Sequence, residues 1–188
     1  MLTFDDTTHT YFWQGKKVPG VTSVLQALHN FDNVPEAIIK PAQDRGTAVH
    51  LACEYDDKGI LDDASIDDRI AGYLQAWRQF RSDNVTEWTH IEHQCFHPLL
   101  RYAGTLDRAG TINGDKWLID IKTSVQSHPV WGVQTAAYAN AENLTDHKRG
   151  TIQLRADGTY RFHEWKSKND WPVFVSLLTV TNFLEHTK

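Results

Sequence analysis

A strand-like run with charge in its middle constrains this chain more than any other feature. Trp117, Leu118, Ile119 and Ile121 have the bulk and branching of a central, buried strand, yet Asp120 and Lys122 interrupt them. A preceding run, Tyr102–Ile112, is joined to Lys116–Thr123 through Asn113-Gly114-Asp115. Asn-Gly between two such runs signals a tight hairpin, because both residues tolerate the positive φ of a type I′ turn. Side chains two apart on a strand share a face, so Asp120 and Lys122 point the same way, and Asp107 can join them from the neighbouring strand. A carboxylate and an ammonium in such a place must pair with each other or bind something charged. One reading is a buried Asp–Lys salt bridge. The other is a metal site, in which carboxylate oxygens hold a hard divalent cation while the lysine handles water or developing phosphate charge.

Along the rest of the chain, hydrophobic spacing sets the expected elements. Thr10–Trp13 and Lys16–Pro19 read as a small hairpin, followed by a short helix capped by Thr22 or Ser23 and running through Leu28. Tyr11, Phe12 and Trp13 read as core, with base stacking as the alternative. Asn30–Pro41 reads as a connection holding two prolines, with a helical turn at Glu36–Ile39. A helix from Ala42 to Asp57 puts Gly46, Val49, His50, Cys53 and Asp57 on one side by three-and-four spacing. After a loop at Gly59–Asp63, a helix over Ser65–Ser82 carries the stripe Ile70, Tyr73, Leu74, Trp77 and Phe80. Glu87–Phe96 reads as a strand. A helix capped by Ser127 or His128 runs to Asn143 and points Gln134 and Tyr138 together. A second hairpin, Arg149–Arg155 with Thr159–Trp165 around Asp157-Gly158, and a helix over Trp171–Leu184 complete the chain.

The pattern around the charged hairpin resembles the PD-(D/E)xK nucleases, in particular their RecB-like branch. Asp107…Asp120-Ile121-Lys122 matches the family's core, and Gly104-Thr105-Leu106-Asp107 matches its G-x-x-D form. Gly46-Thr47-Ala48-Val49-His50 looks like the branch's G-x-x-x-H helix, and Gln134-Thr135-Ala136-Ala137-Tyr138 like its Q-x-x-x-Y helix. The four elements come in the family's order over Arg45 to Tyr138, and Tyr11–Leu25 looks more weakly like the start of phage-encoded members. The resemblance implies an α/β fold with a central mixed β-sheet flanked by helices, the restriction-endonuclease-like core. It also implies a role for each matching residue. Asp107, Asp120, His50 and the carbonyl of Ile121 would hold one or two Mg²⁺ or Mn²⁺ ions, His50 favouring Mn²⁺. Lys122 would act on water or phosphate, and Gln134 would orient the lysine or the substrate. Arg45, Thr47, Glu92, Thr123 and Tyr138 would contact substrate or support these groups from outside.

Composition fits that expectation without establishing it. A chain of 188 residues suits one domain, divided into an N-terminal hairpin and short helix (1–41), a catalytic core (42–145) and a C-terminal hairpin and helix (146–188). Cys53 and Cys95 are the only cysteines, too few for the four-cysteine iron–sulfur cluster that some relatives of this family carry. A disulfide between them does not suit the cytoplasmic location expected for a bacterial or phage enzyme. No apolar run is long enough for a membrane span, and the polar start MLTFDDTTHT is unlike a signal peptide. The net charge of −5 argues against a purely basic nucleic-acid binder, although a metal-dependent enzyme's own carboxylates add negative charge. The expected activity is metal-dependent DNA hydrolysis by an exonuclease or single-strand-preferring enzyme in recombination, repair or phage replication. The expected partner is DNA that is single-stranded or has a free end. The competing expectations are a non-catalytic nucleic-acid-binding module and a protein adaptor on the same fold.

Overall fold

The computed structural model describes residues 1–28, 35–84 and 86–186. Its centre is a five-stranded mixed sheet made of β4 (Thr86–His97), β5 (Tyr102–Ile112), β6 (Asp115–Lys122), β7 (Lys148–Leu154) and β8 (Tyr160–Glu164), in that order. Among the described strands of this sheet only the β6–β7 pairing is parallel, and its crossover is α4 (Val130–Ala141). The hairpin turn is shorter than expected. Asp115 pairs with Ile112, leaving Asn113 (φ 51°) and Gly114 (φ 85°) as a two-residue loop of left-handed residues.

Each face of the sheet is covered by its own core. On one face, Leu106 and Leu118 pack with α1 (Val21–Leu25), α4 and α5 (Asp170–His186). On the other, Ile119, Ile121 and Ile152 pack against α2 (Glu36–Asp57) and α3 (Asp68–Asp83), whose expected stripe Ile70, Tyr73, Leu74, Trp77 and Phe80 is wholly buried. Burying each of these large side chains contributes about 1.5–3 kcal/mol, so the stripe alone anchors α3. Cys53 and Cys95 are free and belong to opposite cores. In α4 every residue but Asn140 is buried, because the alanine-rich helix lies between the sheet and α5. Among the described residues, no helix is long and apolar enough to cross a membrane.

Four boundaries differ from expectation. The N-terminal hairpin is a three-stranded sheet, because β1 (Leu2–Asp5) joins β2 (Thr10–Trp13) and β3 (Lys16–Val18). The helix α1 starts one residue earlier than the expected caps, with Ser23 bonding back to Gly20 from inside the first turn. Residues 30–34 of the expected connection lie outside the described residues. From Glu36 onward it is already α2, which passes through Pro41. Proline there forfeits one helical hydrogen bond near the N-terminus, a smaller loss than in the middle of the helix. The fourth is α3, which begins at Asp68, where the Asp67 side chain accepts the Arg69 N–H and caps it.

Candidate metal centre between parted strands

The charged hairpin does not stay zipped along its length. Between β5 and β6 the register runs from Ile112 with Asp115 to Arg108 with Ile119, whereas β6 goes on pairing with β7 as far as Lys122 with Gln153. Beyond the split, β5 meets the N-terminal segment: Ala103 donates to the Pro19 carbonyl (2.9 Å) and bridges Gly20. The parting strips Ile121 of ladder partners on its β5 side, and a buried backbone group must find others. Asp107 Oδ2 accepts the Ile121 N–H at 2.6 Å, and His50 Nε2 donates to the Ile121 carbonyl at 3.0 Å. The sheet's own unpaired backbone thus draws an acid from β5 and an imidazole from α2 to one point. The Ile121 carbonyl, expected at a metal, spends one lone pair on His50.

The same point gathers more charge. His50 Nδ1 lies 3.5 Å from Glu92 Oε1 and 3.6 Å from Asp107 Oδ2. Burial pushes the imidazole down, but the carboxylates of Asp107 and Glu92 outweigh it and hold His50 up at about 9. Burial also pushes Asp107 above the usual carboxylate range, against the pull of His50. Asp120 sits between Ile119 and Ile121 on β6 and so turns to the α4 face. Its side chain is 1% exposed, and Lys122 Nζ stands 2.8 Å from Oδ2. Neither Asp120 oxygen has an aligned hydrogen-bond donor among the described residues. Burial lifts Asp120 to about 6 against the attraction of Lys122, and the nearby Asp107 adds to the rise.

Glu92, expected to support the site from outside, stands next to His50 and Asp107. Two irregularities in β4 bring it there, a bulge between Trp88 and His90 and a left-handed backbone at Glu92 itself (φ 45°). A non-glycine residue held in that region costs on the order of 1–3 kcal/mol and persists only when its surroundings enforce it. Arg108 holds the Glu92 carboxylate there, donating from Nη1 to Glu92 Oε1 at 3.0 Å and to the Asp107 carbonyl at 2.6 Å. Neither Arg108 nor the kink was singled out from sequence. An arginine following a motif aspartate in a buried strand is the signal that could have found it. Gln153 was also missed. It sits opposite Lys122 on β7 and pins the loop after the motif by donating to the carbonyls of Ser124 (2.7 Å) and Val125 (2.8 Å).

The remaining candidates separate. Gln134 is buried, and its amide donates to the Tyr138 hydroxyl at 3.0 Å. Tyr138 lies close enough to Asp120 and Asp107 that, after burial, their charges raise its phenol further. Its ring occupies the space a side chain at Gly104 would need, 2.6 Å from an added Cβ, which explains that glycine's place before Asp107. Thr123 is half-buried and near Gly46, whereas Thr47 is exposed. Arg45 lies over the Tyr73 ring at 5.7 Å and lines a separate cavity of about 630 Å³ with Pro41, Ala48 and Ile70. Five residues from His50, it stands about 140° around the helix from the charged cluster.

The donor set fits a divalent cation. One nitrogen of His50 and one oxygen each of Glu92 and Asp107 lie within 4.8 Å of one another. Asp120 falls outside that grouping but close enough to feel the charges of Asp107 and His50, and its carboxylate is buried with neither oxygen given an aligned donor, a state a cation would relieve. No protein-family model matches the chain, and no curated protein matches it. Two solved structures are similar in overall fold. SSO0001 is 16% identical with a TM-score of 0.46, over 88% of this chain and 74% of that one. LHK-Exo, solved in complex with dAMP, is 14% identical with a TM-score of 0.45, over 90% of this chain and 92% of that one.

Proposed function

We propose that the protein is a divalent-metal-dependent DNA nuclease of the PD-(D/E)xK type, hydrolysing phosphodiester bonds in DNA that is single-stranded or has a free end. The observation that carries this reading is the Asp120 carboxylate, buried beside Asp107 with both oxygens lacking a hydrogen bond and Lys122 Nζ 2.8 Å away. A fold stabilised by this pair alone would have supplied donors to those oxygens.

Asp107, Asp120, Glu92 and His50 would hold one or two Mg²⁺ or Mn²⁺ ions, His50 through Nδ1 because Nε2 is committed to Ile121. Such an ion supplies acidified water near neutral pH and offsets charge on the phosphate. Lys122, 22% exposed beside the buried Asp120, presents its ammonium to the attacking water or to the phosphate oxygens as their charge grows. Asp107 serves twice, its Oδ2 also fixing the Ile121 backbone on which His50 hangs. Gln134 acts through Tyr138, keeping that ring against Gly104 beside the two aspartates.

The test is cleavage of end-labelled single- and double-stranded DNA with Mn²⁺, Mg²⁺ or EDTA, with Lys122→Ala alongside. The reading expects metal-dependent cleavage that the variant lacks, and Mn²⁺ should raise the melting temperature of both proteins, since a ligand of the native state stabilises it. Absence of cleavage on every substrate together with no metal-induced stabilisation would overturn it in favour of a binding module or an adaptor.

A further inference from the structure

A second cluster of metal-binding side chains lies on the other side of the kink in β4. His90 and His93 are three apart on a strand, a spacing that ordinarily sends side chains to opposite faces. The left-handed residue between them, Glu92, shifts the alternation, so both imidazoles turn to the α4 side. There they meet Glu142, the residue that ends α4. Glu142 Oε1 lies 3.2 Å from His93 Nε2 and 3.8 Å from His90 Nε2, and one donor atom from each residue falls within 4.8 Å of the others. Donors at about 2.0–2.1 Å from a tetrahedral zinc ion stand about 3.3–3.4 Å apart, so little movement separates this arrangement from a coordination sphere.

Proton positions point the same way. The Thr89 hydroxyl donates to the Ala109 carbonyl at 3.0 Å, because a carbonyl can only accept. Its oxygen is then left to accept from His90 Nδ1, 2.8 Å away. In the neutral imidazole this puts the proton on Nδ1 and leaves a bare lone pair on Nε2, facing the Glu142 carboxylate. Two electron-rich atoms directed at one another are stabilised by a cation between them, and a histidine that ligates a metal commonly has its other N–H held in this manner. The carbonyl end of α4 adds its own attraction for positive charge.

We propose that His90, His93 and Glu142 form a binding site for a borderline transition-metal ion, Zn²⁺ above Mg²⁺, with a fourth position open to solvent. Two imidazoles and one carboxylate suit zinc and leave magnesium poorly served. The bound ion would tie the two flanks of Glu92 to the end of α4 and so hold the kink that delivers Glu92 to the first cluster. The site does not depend on the nuclease reading, and its test measures binding rather than cleavage.

The probe is Zn²⁺ in competition with a chromogenic chelator, using chelator-stripped protein. His50→Ala serves as the background, because it removes the nitrogen donor of the other cluster. This variant should bind one equivalent of Zn²⁺, and Co²⁺ in its place should give visible absorption bands. Adding His93→Ala or Glu142→Gln should weaken binding by at least about tenfold, and Thr89→Val, which frees the His90 tautomer, by about tenfold. Far-UV circular dichroism and melting in chelator, unchanged by these surface substitutions, show that the fold is kept. Zn²⁺ binding that is absent in the His50→Ala background, or unchanged by His93→Ala and Glu142→Gln, overturns the site.

Discussion

Two carboxylate–cation pairs in this molecule have a buried carboxylate, and they are built differently. Asp57 and Arg108 both have fully buried side chains, joined at 2.7 Å. The other Asp57 oxygen takes the Trp77 indole N–H at 3.1 Å and stands 3.0 Å from Arg81. Arg108 spreads its remaining charge over Glu92, the Asp107 carbonyl and the Trp77 ring at 5.4 Å, leaving only Nη2 without a partner. Asp120 and Lys122 are as close, at 2.8 Å, but Asp120 has no hydrogen bond and Lys122 reaches toward solvent. The first pair is nearly complete within the protein and reads as scaffold. The second leaves both carboxylate oxygens without an aligned donor among the described residues. Burial of charge alone therefore does not separate the two pairs; the hydrogen bonds left unmade at the buried carboxylate do.

The largest expected effect separates the two pairs by activity. Lys122→Ala should lower cleavage by roughly 10²–10³-fold or more with little change in melting temperature, and Asp120→Ala should abolish it. Wild-type cleavage by either variant would place the second pair with the scaffold. Arg108→Met should do the converse to stability, costing about 3 kcal/mol in denaturant titration, because it leaves the buried Asp57 carboxylate with only Trp77 and Arg81. A loss under about 1 kcal/mol would mean that water reaches Asp57 and that the contrast fails.

A third effect sharpens the contrast through pH, in metal-free protein. Folding raises Asp120 from 3.8 to about 6, so between those values the native state binds more protons than the unfolded chain. That contribution is complete below pH 3.8 and is lost as pH rises through 6. His50, raised from 6.5 to about 9, acts in the same sense at higher pH. The contributions of Asp120 and His50 to stability in EDTA should therefore fall from pH 5 to pH 8, and Asp120→Asn should remove on the order of 1 kcal/mol of that fall below neutrality. A slope identical in wild type and variant would show that Asp120 is solvated.

The smallest effect concerns Gln134. Tyr138→Phe deletes its hydrogen bond and should cost about 1 kcal/mol of stability. If Gln134 acts only through Tyr138, Gln134→Ala and Tyr138→Phe should lower cleavage equally. A much larger loss for Gln134→Ala would return Gln134 to the lysine or the substrate.

Much of this was legible before any coordinates. The alternation of Trp117, Leu118, Ile119 and Ile121 with charged residues required a buried strand with something to neutralise, and Asn113-Gly114 required the hairpin. The apolar stripe of α3 specified which of its faces is buried. These are local consequences of side-chain period and backbone freedom, and the sequence by itself determined them. The tertiary structure decided what no local pattern encodes. The N-terminal segment takes the place beside β5 that β6 leaves, and the freed backbone of Ile121 collects Asp107 and His50. Glu92 takes a left-handed conformation and its carboxylate accepts from Arg108, which brings that carboxylate to one cluster and His93 round to the other. Both outcomes arise because buried polar groups must be satisfied by whatever the fold brings near, and that depends on contacts between residues distant along the chain.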